Sequence, residues 1–293
     1  MKLLRCGPPG KERPALLDDA GQLRDLSAIV PDIGPAQLSD AALARLRRLK
    51  PSALPLVRGR PRLGCPVAGI GKFIAIGLNY ADHAAEAGMA IPKEPVAFTK
   101  ALSCIQGPDD DVILPQGSKR SDREVAVGGV IGATAHPVAH KVALAHVAGY
   151  CVVNDVSERE FQIERGGTWD KGKGCDTFGP IGPWLVTRDE VPNPQRLGLW
   201  LDLNGQRMQT GHTRTMVFSV AKLVSYVSRF ITLEPGDVLT TGTPPGVGMG
   251  RRDAAGQPAP RFLRRRDVLT LGLDGLGEPR QRVVAFRDAA RPN

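Results

Sequence analysis

The sequence predicts a mostly β fold of the α+β class, in which short strands and turns predominate over a few short helices. The 293 residues include 34 glycines and 25 prolines, which favour turns and interrupt long helices. Two apolar runs, residues 73–78 and 147–153, have the length of buried strands. Every second residue from 197 to 203 is leucine and Asn204-Gly205 follows, which predicts a β-hairpin.

The chain is predicted to divide into a small N-terminal domain, residues 1–65, and a larger domain, residues 66–293. In the smaller domain Leu43, Leu46 and Leu49 recur every three residues behind a Ser-Asp cap, which predicts a helix over residues 39–49. The proline-rich residues 51–66 then predict a linker. Nothing in the smaller domain indicates chemistry.

Two helices are predicted in the larger domain. The alanine-rich residues 81–87 predict a short helix that Gly88 ends. Thr215 is expected to cap a helix of about four turns that reaches Phe230. The apolar stripe of this second helix is Val220, Leu223, Val224 and Val227.

A short internal similarity follows the second helix. Residues 233–242 resemble residues 263–272, and both read as a turn that leads into a strand. The similarity predicts paired or symmetry-related strands rather than a repeat protein. Between them, residues 241–248 form a glycine-bearing loop suited to close approach of the backbone to a ligand.

Charge and composition restrict the partners that we expect. The net charge of +9 comes mainly from residues 45–62 and 261–266. Only 5% of the residues are aromatic, so we expect solvated basic surfaces and a small anionic partner rather than nucleic acid. No apolar run approaches the roughly 20 residues of a membrane span. The five cysteines are odd in number and form no CxxC, which favours the reducing cytoplasm.

Residues 154–184 are predicted to line a site. Acidic and basic residues alternate there without an apolar period, yet the stretch contains Trp169, Phe178 and Trp184 and directly follows an apolar strand. Polar groups held beside buried apolar ones are costly unless they are paired or functional. A salt-bridged surface loop is the alternative that composition leaves open.

Two spacings carry candidate chemistry. His83 and Glu86 are three residues apart in a predicted helix and share a face, where the carboxylate can orient the imidazole for activation of water. An exposed pair without function is an equal alternative. Residues 121–132 predict a strand, one face of which carries Asp122, Glu124, Ala126 and Gly128. This carboxylate row can hold a metal, although a polar outward face is equally natural.

Six segments together resemble the fumarylacetoacetate hydrolase superfamily, and the similarity extends over nearly the whole chain. They are GLNYADHAAEAGM, FTK, the acidic strand at Asp122, NDVSERE, KGKGCDTFGPIGPW and TTGTPPGVG, in that order. The nearest branch is that of bacterial enzymes acting on 2,4-diketo-3-deoxy sugar acids, often labelled ureidoglycolate lyase. The resemblance implies a mixed β-sandwich or roll, a catalytic larger domain and a homodimer.

The resemblance also implies a Mg²⁺ or Mn²⁺ ion held by three carboxylates. Glu124 matches the first ligand and Asp155 the third, whereas Ala126 stands where the second glutamate is expected. Loss of an anionic ligand predicts a weakened metal site, since even indirect partners of a metal typically contribute about 10–100-fold in affinity.

By the same resemblance, the reaction is hydrolysis of a C–C bond in a 2,4-dioxo acid, such as an acylpyruvate or a diketo-deoxy sugar acid, to pyruvate and a second acid. His83, oriented by Glu86, is expected to deprotonate a water, and Lys173 to stabilise the developing negative charge. The residues expected to contact the substrate or support those that do are Lys100, Arg159, Gln162 and Thr243.

Two alternatives remain beside the hydrolase. One is decarboxylation, isomerisation or lyase chemistry through the same enolate, which only a panel of substrates separates from hydrolysis. The other is a metal-impaired relative that binds a keto acid. Ala126 supports this reading, whereas retention of His83, Glu86, Lys173 and Gln162 argues against it.

Overall fold

The computed structural model describes residues 1–86, 88 and 90–288, and these form seventeen strands and five α-helices. The strands are β1 Lys2–Cys6, β2 Arg13–Leu17, β3 Leu23–Asp25, β4 Phe73–Gly77, β5 Val96–Thr99, β6 Ile105–Gln106, β7 Val112–Leu114, β8 Ser121–Asp122, β9 Val125–Ile131, β10 Val147–Asn154, β11 Ser157–Glu158, β12 Gly179–Thr187, β13 Gly198–Leu203, β14 Gln206–His212, β15 Val238–Thr240, β16 Val268–Leu273 and β17 Arg280–Ala285. The helices are α1 Asp40–Arg47, α2 Ala81–Glu86, α3 Arg159–Ile163, α4 Asp170–Lys173 and α5 Val220–Val227.

Two large sheets contact each other. The first runs β3-β2-β1-β12-β10-β9-β15-β4-β5, with β6 paired to β12, and the second runs β14-β13-β16-β17-β7. Strands β9 and β10 of the first sheet contact β13 and β16 of the second. Val130, Leu201 and Leu271 are fully buried in one apolar cluster, to which both sheets contribute residues. The predicted α+β, mostly β sandwich with short helices is therefore confirmed.

The N-terminal strands extend the first sheet. Lys2 pairs with Val186 and Leu3 with Leu185, which joins β1 to β12. Helix α1 forms where it is predicted, because Ser39 accepts the N–H of Ala42 and the apolar side of the helix is buried. The domain boundary at residue 65 stays a prediction, although the hydrogen bonds of β1 make the two predicted units continuous.

The prediction for the helix after Thr215 is wrong at both ends. Thr215 closes a short 3₁₀ turn, and α5 begins only after Ser219, whose hydroxyl accepts the N–H of Lys222. The intervening chain is held elsewhere, since Val217 and Phe218 donate their backbone N–H groups to Asn79. The predicted apolar stripe is buried, as expected.

The two similar segments after α5 are not paired. Strand β15 lies in the first sheet between β9 and β4, whereas β16 lies in the second sheet between β13 and β17. Similar turns predict similar strand starts, but the choice of neighbour depends on the rest of the fold. The predicted hairpin at Asn204-Gly205 is confirmed, and both residues adopt the positive φ that such a turn requires.

The predicted strand over residues 121–132 is interrupted. Asp122 pairs with Ser157 in a separate two-stranded sheet of β8 and β11, and the main ladder resumes when Val125 pairs with Asn154. Between the two, the N–H of Glu124 donates to the Asn154 side chain instead. Helix α2 ends at Glu86, and Ala87 of the predicted helix lies outside the described residues. Within the described part of the chain, no helix is long and apolar enough to span a bilayer.

Candidate functional site

A cavity of about 550 Å³ opens beside β4, α2 and α3. All predicted site residues line it except Lys100 and Asp155. Its polar lining residues are His83, Glu86, Glu124, Arg159, Gln162, Lys173, Thr243, Arg251 and Arg252. Its apolar lining includes Ile76, Leu78, Ile163, Trp169, Val247 and Met249. A charged group beside an apolar wall is the usual character of a site for a small organic anion.

His83 and Glu86 form the contact that their spacing predicts. Nδ1 of the buried His83 imidazole lies 3.1 Å from Oε2 of Glu86. The Glu86 carboxylate also accepts the backbone N–H of Gly246, at 2.9 and 3.1 Å from its two oxygens. A carboxylate against Nδ1 favours the tautomer that carries its proton there, which leaves Nε2 with the lone pair of a base.

The fold brings together Glu124, which lies between β8 and β9, and Asp155, which directly follows β10. The backbone N–H of Asp155 donates to the carbonyl of Glu124 at 2.8 Å. Between the two side chains lies Lys173, whose Nζ is 2.9 Å from Oε2 of Glu124 and 3.0 Å from Oδ2 of Asp155. Lys173 is 2% exposed, so this bridge is shielded from solvent.

Two further cations take the remaining oxygens. Lys100 Nζ lies 2.7 Å from Oδ1 of Asp155, and Arg159 donates through its terminal nitrogen to Oε1 of Glu124. Each of the four carboxylate oxygens of Glu124 and Asp155 therefore accepts from an ammonium or guanidinium group. Hydrogen bonds between charged partners are the strongest that side chains form, particularly when solvent is excluded.

The surroundings of Glu124 keep it ionised. Burial by itself would raise the pKa of this carboxyl, but the charges of Lys173 and Arg159 outweigh that effect and lower its pKa to about 2. Burial by itself would lower the pKa of the Arg159 guanidinium, but the charges of Glu124 and Asp122 outweigh that effect and raise its pKa overall. Both groups are charged at any physiological pH.

Lys100 lies under the site rather than in its wall. It follows β5, as the sequence predicts, but its ammonium is surrounded by Asp155, the Val156 carbonyl and the Lys173 carbonyl. An ammonium has three N–H donors, and these three acceptors use all of them. The predicted contact of Lys100 with a substrate therefore does not follow from this position, and its observed role is to hold Asp155.

Gln162 and Thr243 occupy supporting positions at the cavity. The Gln162 side chain accepts from Arg159 at 3.1 Å. The Thr243 hydroxyl donates to the carbonyl of Val125 at 2.8 Å and accepts from Gln209 at the same distance. Gln209 also accepts the N–H of Val125, which fixes the loop that carries Thr243 against the start of β9. No local pattern in the sequence marks Gln209, because it lies on β14 in the other sheet.

Asp122 holds the loop of residues 242–249, which lines the cavity, and the sequence did not predict this role. Its carboxylate accepts the backbone N–H groups of Gly248 at 2.6 Å and Met249 at 3.0 Å, and the side chain of Arg159 at 3.0 Å. Burial would raise its pKa, but Arg159, Arg123 and the two amides lower it overall. The sequence places Asp122 on the same strand face as Glu124, which could have suggested a role at the site. Its loop partners could not be predicted, because Gly248 and Met249 lie more than a hundred residues away in the chain.

Arg123 supports the same loop from a fully buried position. It donates to the carbonyls of Gly246, at 3.3 Å, and Arg261. A Cβ on Gly248 would lie 2.5 Å from Arg123 and from the Asp122 carboxylate, so only glycine fits there. Asp122 and Arg123 thus connect the β8 end of the site to the loop that covers it.

The three-carboxylate metal site that the resemblance implies is not present in this donor set. Among the described residues, no group of three or more His, Cys, Asp or Glu side chains is placed to hold a metal ion. Ala126 is buried and supplies no oxygen, and the oxygens of Glu124 and Asp155 are all engaged by cations. Mg²⁺ requires about six oxygen ligands in a near-octahedral arrangement, which these residues as placed do not fit.

Comparison with known proteins gives consistent matches. The model of the fumarylacetoacetate hydrolase C-terminal family matches residues 72–284. A candidate hydrolase of Burkholderia cenocepacia is 64% identical over 281 residues, which are 96% of this chain and 98% of that protein.

Two solved structures are similar over nearly their full lengths. The 5-carboxymethyl-2-hydroxymuconate delta-isomerase of Mycobacterium smegmatis has a TM-score of 0.73 and 30% identity, with coverage of 97% of this chain and 99% of that one. The maleylpyruvate hydrolase of Sphingobium, in complex with manganese(II) and pyruvate, has a TM-score of 0.78 and 25% identity, with the same coverage. The same architecture thus occurs in a hydrolase and in an isomerase.

Proposed function

The chain belongs to the fumarylacetoacetate hydrolase family, and from that membership we propose that it hydrolyses a C–C bond in a 2,4-dioxo acid. The substrate is an acylpyruvate or a diketo-deoxy sugar acid, and the products are pyruvate and a second acid. One observation carries the proposal: the His83 base, oriented by Glu86, lines the same cavity as the cations Lys173 and Arg159.

Substrate binding is assigned to Lys173 and Arg159. Lys173 uses two of its N–H donors on Glu124 and Asp155 and, among the described residues, has no acceptor for the third. Arg159 donates one hydrogen bond from each nitrogen, which leaves further N–H donors on its terminal nitrogens. These donors suit the carboxylate and 2-oxo oxygens of the substrate, since the ammonium and guanidinium charges are already fixed in place.

His83 is assigned the proton transfer. It takes a proton from water, and the hydroxide adds to the C4 carbonyl. The C3–C4 bond then breaks, and its electron pair forms the enolate of pyruvate, while the acyl carbon becomes the carboxyl carbon of the second acid. The proton held by His83 returns to the enolate carbon, so no other reactant is needed. Lys173 stabilises the enolate oxygen, as a preorganised donor in a water-poor site does.

A divalent metal ion is the cofactor that the family resemblance implies. Glu124 and Asp155 are the residues that would hold a divalent ion, which would polarise the two carbonyl groups of the substrate. Their oxygens are occupied by cationic side chains, so the donor set does not fit that ion. The steps above accordingly use only groups of the chain.

Isomerisation is the second candidate reaction. The similar isomerase structure supports it, because an enolate is common to both reactions and His83 can move a proton without activating water. The third alternative is a protein that binds a keto acid without turnover, and it is supported by Ala126 in place of a ligand glutamate. The same cavity serves all three.

A substrate panel tests the proposed hydrolysis. Loss of the enol absorbance of simple acylpyruvates is followed while pyruvate, carbon dioxide and the second acid are each quantified. Equal amounts of pyruvate and second acid, abolished in His83→Ala, are expected. Carbon dioxide or an isomer without pyruvate would replace the hydrolase with another enolate enzyme, and keto-acid binding without any product would favour the binding protein.

We also propose a cytoplasmic homodimer that acts on a small keto acid and not on nucleic acid or membranes. All five cysteines are unpaired, which supports a reducing compartment. Sedimentation of the purified chain measures its mass in solution, and a monomer would contradict the dimer.

A further inference from the structure

The position between Glu124 and Asp155 is held by an ammonium group. Lys173 Nζ contacts one oxygen of each carboxylate at nearly equal distances, 2.9 and 3.0 Å. The other two oxygens accept from Arg159 and Lys100. Lys173 thus bridges the two carboxylates in the way that a shared cation would.

The charges of this cluster already have a positive excess without a further cation. Asp122, Glu124 and Asp155 supply three negative charges, while Lys100, Arg123, Arg159 and Lys173 supply four positive ones, which leaves a formal charge of one positive unit. All seven side chains are buried. A divalent ion would raise the formal charge to three positive units among buried side chains, and such an excess is costly.

Position 126 is where the missing negative charge is expected. The residue there, two positions after Glu124, is a fully buried alanine in β9. By the family resemblance, a carboxylate at this position would remove the positive excess and supply an additional oxygen ligand. With alanine, the ammonium of Lys173 is the only cation that the described residues place between Glu124 and Asp155.

We propose that Lys173 replaces the divalent metal in this chain, so that a 2-oxo acid is bound and its enolate stabilised without a metal ion. The proposal rests on the proposed function for the identity of the ligand. The lysine supplies one positive charge and one free N–H, directed by its two carboxylate contacts. Arg159, held by Asp122 and Glu124, supplies the second anchoring group for the substrate carboxylate.

The test measures metal binding and ligand binding separately from turnover. Protein is stripped with a chelator until elemental analysis finds no metal. Binding of Mn²⁺ is followed by electron paramagnetic resonance, and binding of oxalate, a stable mimic of the pyruvate enolate, by calorimetry. The chains compared are the unaltered protein, Ala126→Glu, Ala126→Gln and Lys173→Met.

The unaltered chain is expected to bind oxalate without metal and to show no saturable Mn²⁺ binding up to millimolar concentration. Ala126→Glu should bind Mn²⁺ at least about tenfold more tightly than Ala126→Gln, which matches it in size without the charge. Lys173→Met should weaken metal-free oxalate binding by about tenfold or more, since a charge-assisted hydrogen bond is lost. Thermal melting of each variant shows whether it is folded.

Two results would overturn the proposal. One is tight stoichiometric Mn²⁺ binding by the unaltered chain, and the other is oxalate binding that appears only after Mn²⁺ is added. Both measurements use the unaltered protein, so they stand even if a variant does not fold. Mn²⁺-dependent cleavage of an acylpyruvate would uphold the proposed hydrolase and reject the proposal that Lys173 replaces the metal. Metal-free oxalate binding with no cleavage of any substrate would uphold the role of Lys173 and reject the proposed hydrolase.

Discussion

Glu86 accepts the backbone N–H of Gly246 although the two residues are 160 positions apart in the sequence. The same carboxylate meets Nδ1 of His83. The orientation of the base therefore depends on the glycine-bearing loop that lines the cavity, and a displacement of that loop would release the imidazole.

The first prediction concerns this pair. His83→Ala should lower kcat by about 10²–10⁴-fold, the usual contribution of a general base. Glu86→Gln keeps an acceptor for Gly246 but loses the charge that orients His83, so a smaller fall in kcat is expected, with KM little changed. Steady-state kinetics on an acylpyruvate measure both. Glu86→Ala is the control, since it also releases the loop and should raise KM.

The second prediction concerns stability at low pH. The pKa of Glu124 is lowered from 4.5 to about 2 in the folded chain, so its ionised form favours folding. Stability from this group is fully present above about pH 4.5 and is lost as pH falls towards 2. Urea unfolding of the unaltered chain and Glu124→Gln at several pH values measures it. The variant should be less stable by about 3 kcal/mol at pH 7, the cost of breaking a buried pair, and the difference should shrink with acid. A difference independent of pH would contradict it.

The third prediction concerns the anchor of the loop. Asp122→Asn removes the charge that Arg159 and the amides of Gly248 and Met249 share. KM should rise more than kcat falls, because Arg159 loses its orientation, and stability should fall by about 3 kcal/mol. The matched control is Asp202→Asn, which breaks the exposed pair with Arg207 and should cost at most about 1 kcal/mol. Equal effects of the two variants would show that Asp122 has no special role.

The fourth prediction concerns the wall formed by Trp169. A Cβ on Gly77 would lie 2.6 Å from the Trp169 ring, so Gly77→Ala must displace the indole. The alanine should cost about 1–3 kcal/mol of stability, as overpacking does, and raise KM. In a Trp169→Ala background the same substitution should cost much less. A double-mutant cycle measures this coupling, and additive effects would place the strain elsewhere.

The amino-acid sequence by itself determined the features that depend on neighbouring residues. The cap at Ser39, the hairpin at Asn204-Gly205 and the shared face of His83 and Glu86 each involve groups within four positions. The motifs also resembled one family, and that resemblance indicated most of the polar residues that line the cavity. These signals are local, or they are read directly from the order of the residues.

The tertiary structure alone decided the contacts between distant segments. Asn79 accepts the backbone N–H of Phe218, so the residues after Thr215 do not form the expected helix. Strands β15 and β16 lie in different sheets, and Asp122 binds the backbone of a loop 126 positions away. It also placed Lys173 between Glu124 and Asp155 and left Lys100 beneath them. Each outcome depends on which buried groups find a partner once solvent is excluded, and residue spacing carries no record of that choice.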